Sequence, residues 1–275
     1  MAIYHFTVKT VSRGTASAKA RSDYIEREGK YQRDHDEVLY SKSGNMPAWA
    51  EEHPRMYWHA ADTYERANGR LFKQVEFAIP RELSQKGQIE LVLTFCTGLA
   101  QTQEGPLPFS LAIHRGHDRE NPHCHVMISE RINDGHPRSP ETWFKRAGKN
   151  PFSGGAKKTL ELRPQVWLEV QRARWAQEAN RALELEGHEA RIDHRSLVAQ
   201  GVEREPQQHL GPAAAAMVRK GMVPERTRGS TEGEEVISIT KELEELKQFR
   251  DEIDVGMSEA REGLKAFKQR QERER

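Results

Sequence analysis

The sequence predicts an α+β fold: a mainly antiparallel central β-sheet with flanking helices, plus a C-terminal helix. Three observations carry this. Period-two alternation of apolar and polar residues recurs in stretches spread over the first half of the chain. Stretches with apolar residues at steps of three and four separate the earlier ones. The last two alternating runs are joined only by a polar turn, the mark of an antiparallel hairpin.

Residues 2–9 form the first strand, with Tyr4, Phe6 and Val8 on one face and Ile3, His5, Thr7 and Lys9 on the other. After a polar turn at 11–15, a helix runs from about Ser17 to Glu28, with Ala16, Ala20 and Tyr24 on one face and Gly29 as its stop. Residues 36–41 suit a short strand, and Pro54 to Ala67 a helix closed by Asn68 and Gly69. In residues 71–79, Leu71, Lys73, Val75, Phe77 and Ile79 share one side, and Phe72, Gln74, Glu76 and Ala78 the other. Residues 84–103 read as a largely buried helix. The hairpin follows: Leu107, Phe109, Leu111 and Ile113 alternate with Ser110, Ala112 and His114, and after the turn His123, His125 and Met127 oppose Cys124, Val126 and Ile128. The helices are expected on the apolar side of this sheet. Residues 164–186 form one more amphipathic helix, ended by Gly187. The domain therefore spans 1–204, followed by a linker over 205–235 and a charged amphipathic helix over 236–275 that suits self-association as a coiled coil.

The 275 residues are 36% hydrophobic and 31% charged, so the core is modest and the surface heavily charged. The net charge of +1 hides an asymmetry: residues 231–275 carry a net −4, which leaves +5 on the rest. Two cysteines, Cys96 and Cys124, do not make a disulfide framework and read as buried thiols of a reducing compartment. No apolar run is long enough to span a bilayer, and the first residues look like a strand rather than a signal peptide. The expected location is the cytoplasm.

The chemistry is in the hairpin. If the apolar faces of its strands share a core, His114, His123 and His125 project together from the other face, above small Ser110 and Ala112. Three imidazoles on a rigid sheet make a divalent-metal site with a position open to water or substrate. Mg²⁺ or Mn²⁺ is the expected ion, with Zn²⁺ also compatible. His117 and His136 fall in turns and are incidental. Residues 133–163 are rich in Gly and Pro. They carry Arg138, Lys145, Arg146, Lys149, Lys157, Lys158 and Arg163, interleaved with Trp143, Phe144 and Phe152. Such a loop fits single-stranded nucleic acid, with cations on phosphates and rings on bases. Lys145, Arg146, Lys149, Trp143 and Phe144 are its candidate contacts, and Arg13, Lys19 and Arg27 extend the list to the first helix. A metal in basic surroundings points to a phosphodiester as substrate, and Tyr24 is an available nucleophile. Glu76 is placed to act as a base or to orient a histidine.

Five segments in order, MAIYHFTVKT, DYIEREGKY, YERANGRLFKQVEFAIP, ENPHCHVMISERINDG and RIDHRSL followed by HLGP, resemble the MobA/MobL family of plasmid mobilisation relaxases in the His-hydrophobe-His endonuclease superfamily. The resemblance covers nearly residues 1–212 and implies the relaxase fold. It also implies a DNA strand transferase that nicks an origin of transfer by tyrosine attack and keeps the 5′ phosphate on the tyrosine. The strand is rejoined after conjugative transfer. It places the nucleophile at Tyr24 and the metal on His114, His123 and His125, with Glu76 as a base or orienting group and Cys124 at the hydrophobic position. The implied partners are single-stranded and hairpin origin DNA, relaxosome accessory proteins and a conjugative coupling protein. Two other readings stay open: a rolling-circle replication initiator with the same chemistry, and a non-catalytic DNA-binding accessory protein with a structural metal. The sequence assigns no chemical role to Asp193 and His194 in RIDHRSL, and a buried hydrogen-bonded turn is expected there.

Overall fold

A computed structural model describes residues 4–31, 38–116, 121–203 and 217. The chain divides into two compact units, Met1–Ser196 and Leu197–Arg275. The elements below belong to the first. The expected linker over 205–235 (apart from Met217) and the helix over 236–275 lie outside the described residues, as does His117.

Five strands form one antiparallel sheet in the order β1-β3-β7-β6-β2: β1 Phe6–Ser12, β2 Val38–Gly44, β3 Arg70–Ala78, β6 Phe109–His114 and β7 His123–Ile128. A two-stranded ribbon, β4 Gln101–Thr102 and β5 Gly105–Pro106, precedes β6. The main helices are α1 Ala18–Ile25, α2 Arg55–Tyr64, α3 Gln85–Leu99 and α5 Gln165–Leu185, with a single-turn α4 at Pro140–Trp143. The first strand lies a few residues later than its alternation suggests. Pairing with β3 carries it through Ser12, into the stretch read as a turn.

Helices cover both faces of the sheet, not one. On one face Val75, Phe77, Leu111, Ile113, Cys124, Val126 and Ile128 meet α3 and α5. At its centre Trp175 lies 4.2 Å from the ring centroid of Phe77 and 5.0 Å from that of Phe95. Each such burial contributes about 1.5–3 kcal/mol. Cys96 and Cys124 are free, buried thiols in this core, and burial pushes Cys124 well above the usual thiol range. On the other face Phe72, Ala112 and Met127 meet Ile25 of α1 and Tyr57 and Trp58 of α2. The room expected above Ser110 and Ala112 is filled. Trp58 Nε1 donates to Ser110 Oγ at 2.8 Å.

Candidate active site

Strand register builds the site. His125 pairs with Glu76 of β3 on one side and Ala112 of β6 on the other, and the next pair on the same face is His114 with His123. Directly paired side chains on one face stand about 5 Å apart at Cβ. The imidazole centroids are accordingly 5.4 Å (His114–His123), 4.9 Å (His114–His125) and 5.0 Å (His123–His125) apart. One ligand nitrogen from each ring falls within 4.8 Å of the others. His114 and His125 are buried and His123 is half-buried, so the cluster is open on one side.

Each imidazole spends one nitrogen on an acceptor. His114 Nε2 donates to the Ile25 carbonyl at 2.7 Å, and His123 Nδ1 to the Asn121 carbonyl at 2.9 Å. Nδ1 of His125 has two neighbours at 3.2 Å, Glu76 Oε2 and Arg21 Nη2. The bond to His125 holds the Glu76 carboxyl down at about 2, against the opposing effect of burial. Burial pulls His125 below the ordinary imidazole value, against the pull of Glu76. A neutral His125 beside an ionised Glu76 donates from Nδ1, and Nε2 is then its ligating nitrogen. The same logic gives Nδ1 of His114 and Nε2 of His123. Three imidazoles, each oriented by an oxygen acceptor, fit a divalent cation. Arg27 Nη2 lies 3.3 Å from Nδ1 of His114, so this guanidinium would have to give way to a cation held there.

Over this face lies α1. Its N-terminus is held twice. Ser17 Oγ accepts from Ala20 N at 3.0 Å, and the Asp62 carboxylate of α2 accepts from Ala18 N at 2.7 Å and Lys19 N at 3.0 Å. The helix ends at Ile25, earlier than the expected Glu28. Arg27 N donates to the Tyr24 carbonyl at 3.3 Å and Glu28 N to that of Asp23 at 2.8 Å, the Schellman closure. Arg27 takes the left-handed position (φ 54°) that glycine usually fills, at a cost of about 1 kcal/mol. That turn folds its guanidinium back to 4.4 Å from the Tyr24 ring centroid. Arg21 sits 4.7 Å from the same ring. The Tyr24 ring is half-buried, 6.2 Å from the His125 ring and edge-on to Tyr31 at 5.3 Å. Tyr24, Glu76 and the three histidines are thus brought together in one place.

The surface residues fare differently. Trp143 and Phe144 are 0% and 2% exposed, packed on Tyr57 in the α2 core, so neither ring is available to stack on a base. This corrects their expected role. Their amphipathic neighbours gave no periodicity by which burial could be read. Lys145 pairs with Glu141 at 2.7 Å, Lys19 with Asp23 at 2.8 Å, and Arg13 bonds the Glu65 carbonyl, while Arg27 belongs to the site itself. Arg146 and Lys149 are exposed. Arg21 is not among the residues predicted from sequence, although arginines three residues before and three after Tyr24 are a visible signal on a helix. The RIDHRSL turn is hydrogen-bonded as expected, with Asn180 bridging both backbone groups of Ile192. Only Ile192 is buried there, and Asp193 pairs outward with Arg195.

A profile of the MobA/MobL family matches residues 14–220. The chain is 53% identical over 256 residues to the mobilization protein A of Escherichia coli, an alignment covering 92% of this chain and 35% of that protein. It is 45% identical over 216 residues to the 43 kDa relaxation protein of Salmonella typhimurium, covering 74% of this chain and 57% of that one. The chain therefore spans about a third to a half of the length of these relatives. A solved structure described as "Molecular Basis of Vancomycin Resistance Transfer in Staphylococcus aureus" superimposes with a TM-score of 0.54 over 71% of this chain and 100% of that one, at 24% identity, a likeness of fold.

Proposed function

The chain belongs to the MobA/MobL family, and on that premise we propose that it is a plasmid-transfer relaxase that nicks one strand of origin-of-transfer DNA. In this reading Tyr24 Oη attacks the scissile phosphorus and loses its proton. The bond from phosphorus to the 3′ oxygen breaks, and that oxygen leaves with a proton as a free hydroxyl. A 5′-phosphotyrosine remains. Attack by a 3′ hydroxyl on that ester reverses the exchange and rejoins the strand, with no net loss of phosphodiester bonds.

The observation that carries the reading is the Tyr24 ring 6.2 Å from the ring of His125, one of three clustered imidazoles. His114, His123 and His125 would hold a divalent cation, which when bound polarises a phosphoryl oxygen. Glu76 orients His125 by accepting from Nδ1, which in the neutral ring that burial favours leaves Nε2 without a proton. Arg21 and Arg27 fix the position of the tyrosine ring by cation–π contact, and they present positive charge to a phosphodiester entering between Tyr24 and the histidines. Positioning of this kind matters because small displacements of a nucleophile cost orders of magnitude in rate. Accessory proteins of the relaxosome and a coupling protein are the partners this role calls for.

The test is denaturing electrophoresis after incubation with labelled single-stranded origin DNA and Mn²⁺ or Mg²⁺. The wild type should yield a covalent adduct and a cleaved strand. Tyr24→Phe should bind the DNA and give neither. An adduct formed by Tyr24→Phe would sink the assignment, and cleavage confined to a replication origin would replace it with a replication initiator.

A further inference from the structure

The segment between β7 and α5 is tightly built and holds one aromatic ring out of the protein. Buried Arg131 donates to the carbonyls of Phe144 at 2.6 Å, Lys145 at 3.1 Å and Ala156 at 2.6 Å, and pairs with Glu65 at 2.8 Å. Gly154 and Gly155 let the loop close on itself: a Cβ on Gly154 would overlap the Gly148 nitrogen, and one on Gly155 the Lys145 carbonyl. At the tip, Asn150 Oδ1 accepts from Phe152 N at 2.9 Å, and the Asn150 carbonyl from Ser153 N at 3.0 Å. From this frame Phe152 projects with 79% of its surface exposed. The His136 ring packs on it, with centroids 4.5 Å apart. Burying a phenylalanine ring is favourable, and this constrained loop forgoes that gain.

Charge sets the same place apart. Arg138, Lys157, Lys158 and Arg163 face Asp134, Glu104, Glu65 and Glu130, and Lys145 faces Glu141. Among the described residues no carboxylate pairs with Arg146 or Lys149, six and three residues before Phe152 on the same closed loop. An exposed ring with uncompensated cations beside it takes bases by their faces and phosphates by charge, largely without regard to sequence.

We propose that Phe152, backed by His136 and flanked by Arg146 and Lys149, is a base-stacking platform for single-stranded DNA. The nature of the ligand rests on the relaxase reading. The segment that carries it leaves the sheet at the end of β7 remote from His123, about 17 Å along the β-strand.

The experiment is fluorescence anisotropy of the full chain with a labelled oligothymidylate and with a blunt duplex of equal length, over a salt series. Phe152→Ala should weaken single-strand binding about five- to a hundredfold, leave duplex binding in place and keep the salt slope, because stacking releases no counterions. Phe152→Tyr should bind as the wild type does and Phe152→Leu as Phe152→Ala does. Arg146→Gln with Lys149→Gln should flatten the slope instead. Wild-type affinity in Phe152→Ala or Phe152→Leu, or an equal loss on duplex, would overturn the platform. Adduct formation on origin DNA is read in parallel. An adduct from a Phe152→Ala chain with wild-type affinity ends the platform alone, and a platform effect without any adduct ends the relaxase reading alone.

Discussion

Glu76 is the group through which the candidate metal centre can be weakened without touching a ligand. Its Oε2 accepts from Nδ1 of His125 at 3.2 Å, and the side chain is 33% exposed. A hydrogen bond to a charged group is worth about 1.5–3 kcal/mol and a neutral one about 0.5–1.5 kcal/mol. Glu76→Gln keeps an acceptor and loses the charge, which gives a loss of about 1 kcal/mol, or roughly fivefold in Mn²⁺ affinity. Glu76→Ala loses the whole bond, for about 10- to 100-fold, the range usual when a group orienting a histidine ligand is removed. A second effect adds to the Ala variant. Arg21 Nη2 also stands 3.2 Å from Nδ1. Without Glu76 it becomes the donor, and the proton moves to Nε2, the nitrogen a cation needs. Glu76→Ala with Arg21→Ala should therefore regain part of the affinity. Isothermal titration with Mn²⁺ on the DNA-free chain measures all three. Glu76→Ala binding as tightly as wild type would refute the orienting role. Tighter binding by Glu76→Ala than by Glu76→Gln would refute the argument from charge.

Three further outcomes follow from the geometry. Tyr31→Phe should keep cleavage and adduct formation, because Tyr31 lies in a 3₁₀ turn beyond α1 and touches Tyr24 only edge-on; loss of the adduct in denaturing gels would move the nucleophile to Tyr31. Arg131→Ala leaves Glu65, 1% exposed, with Lys158 as its one cationic partner among the described residues and takes a donor from three loop carbonyls, so urea denaturation should show about 3–5 kcal/mol lost, and a change below about 1 kcal/mol would show that the loop closes without it. Glu26 is pushed up to about 7 by burial and then by Glu28. An acid raised in the folded state lowers stability as pH climbs from its ordinary 4.5 to about 7, so Glu26→Gln should stabilise the chain at pH 8 and not below 4.5, and an equal gain at both would exclude this cause.

Sequence alone placed the three histidines and Glu76 on common faces, because a strand repeats every two residues and that period survives any packing. It also fixed Tyr24 on a helix and the hairpin that pairs β6 with β7. Register lay beyond it: that His125 stands opposite Glu76 depends on how β3 docks beside β7, which no local pattern states. So did the path of α1. Its closure at Arg27 and its tie to Asp62 set Arg21 and Arg27 against Tyr24; the closure is local, but the tie to Asp62 is a contact far away in the chain. The loop of residues 133–163 was the least legible. Its composition is that of a nucleic-acid contact, but composition cannot say which aromatic a buried Arg131 pulls inward. Trp143 and Phe144 went into the α2 core and Phe152 stayed outside, because burial in an irregular segment is settled by long-range partners and not by spacing.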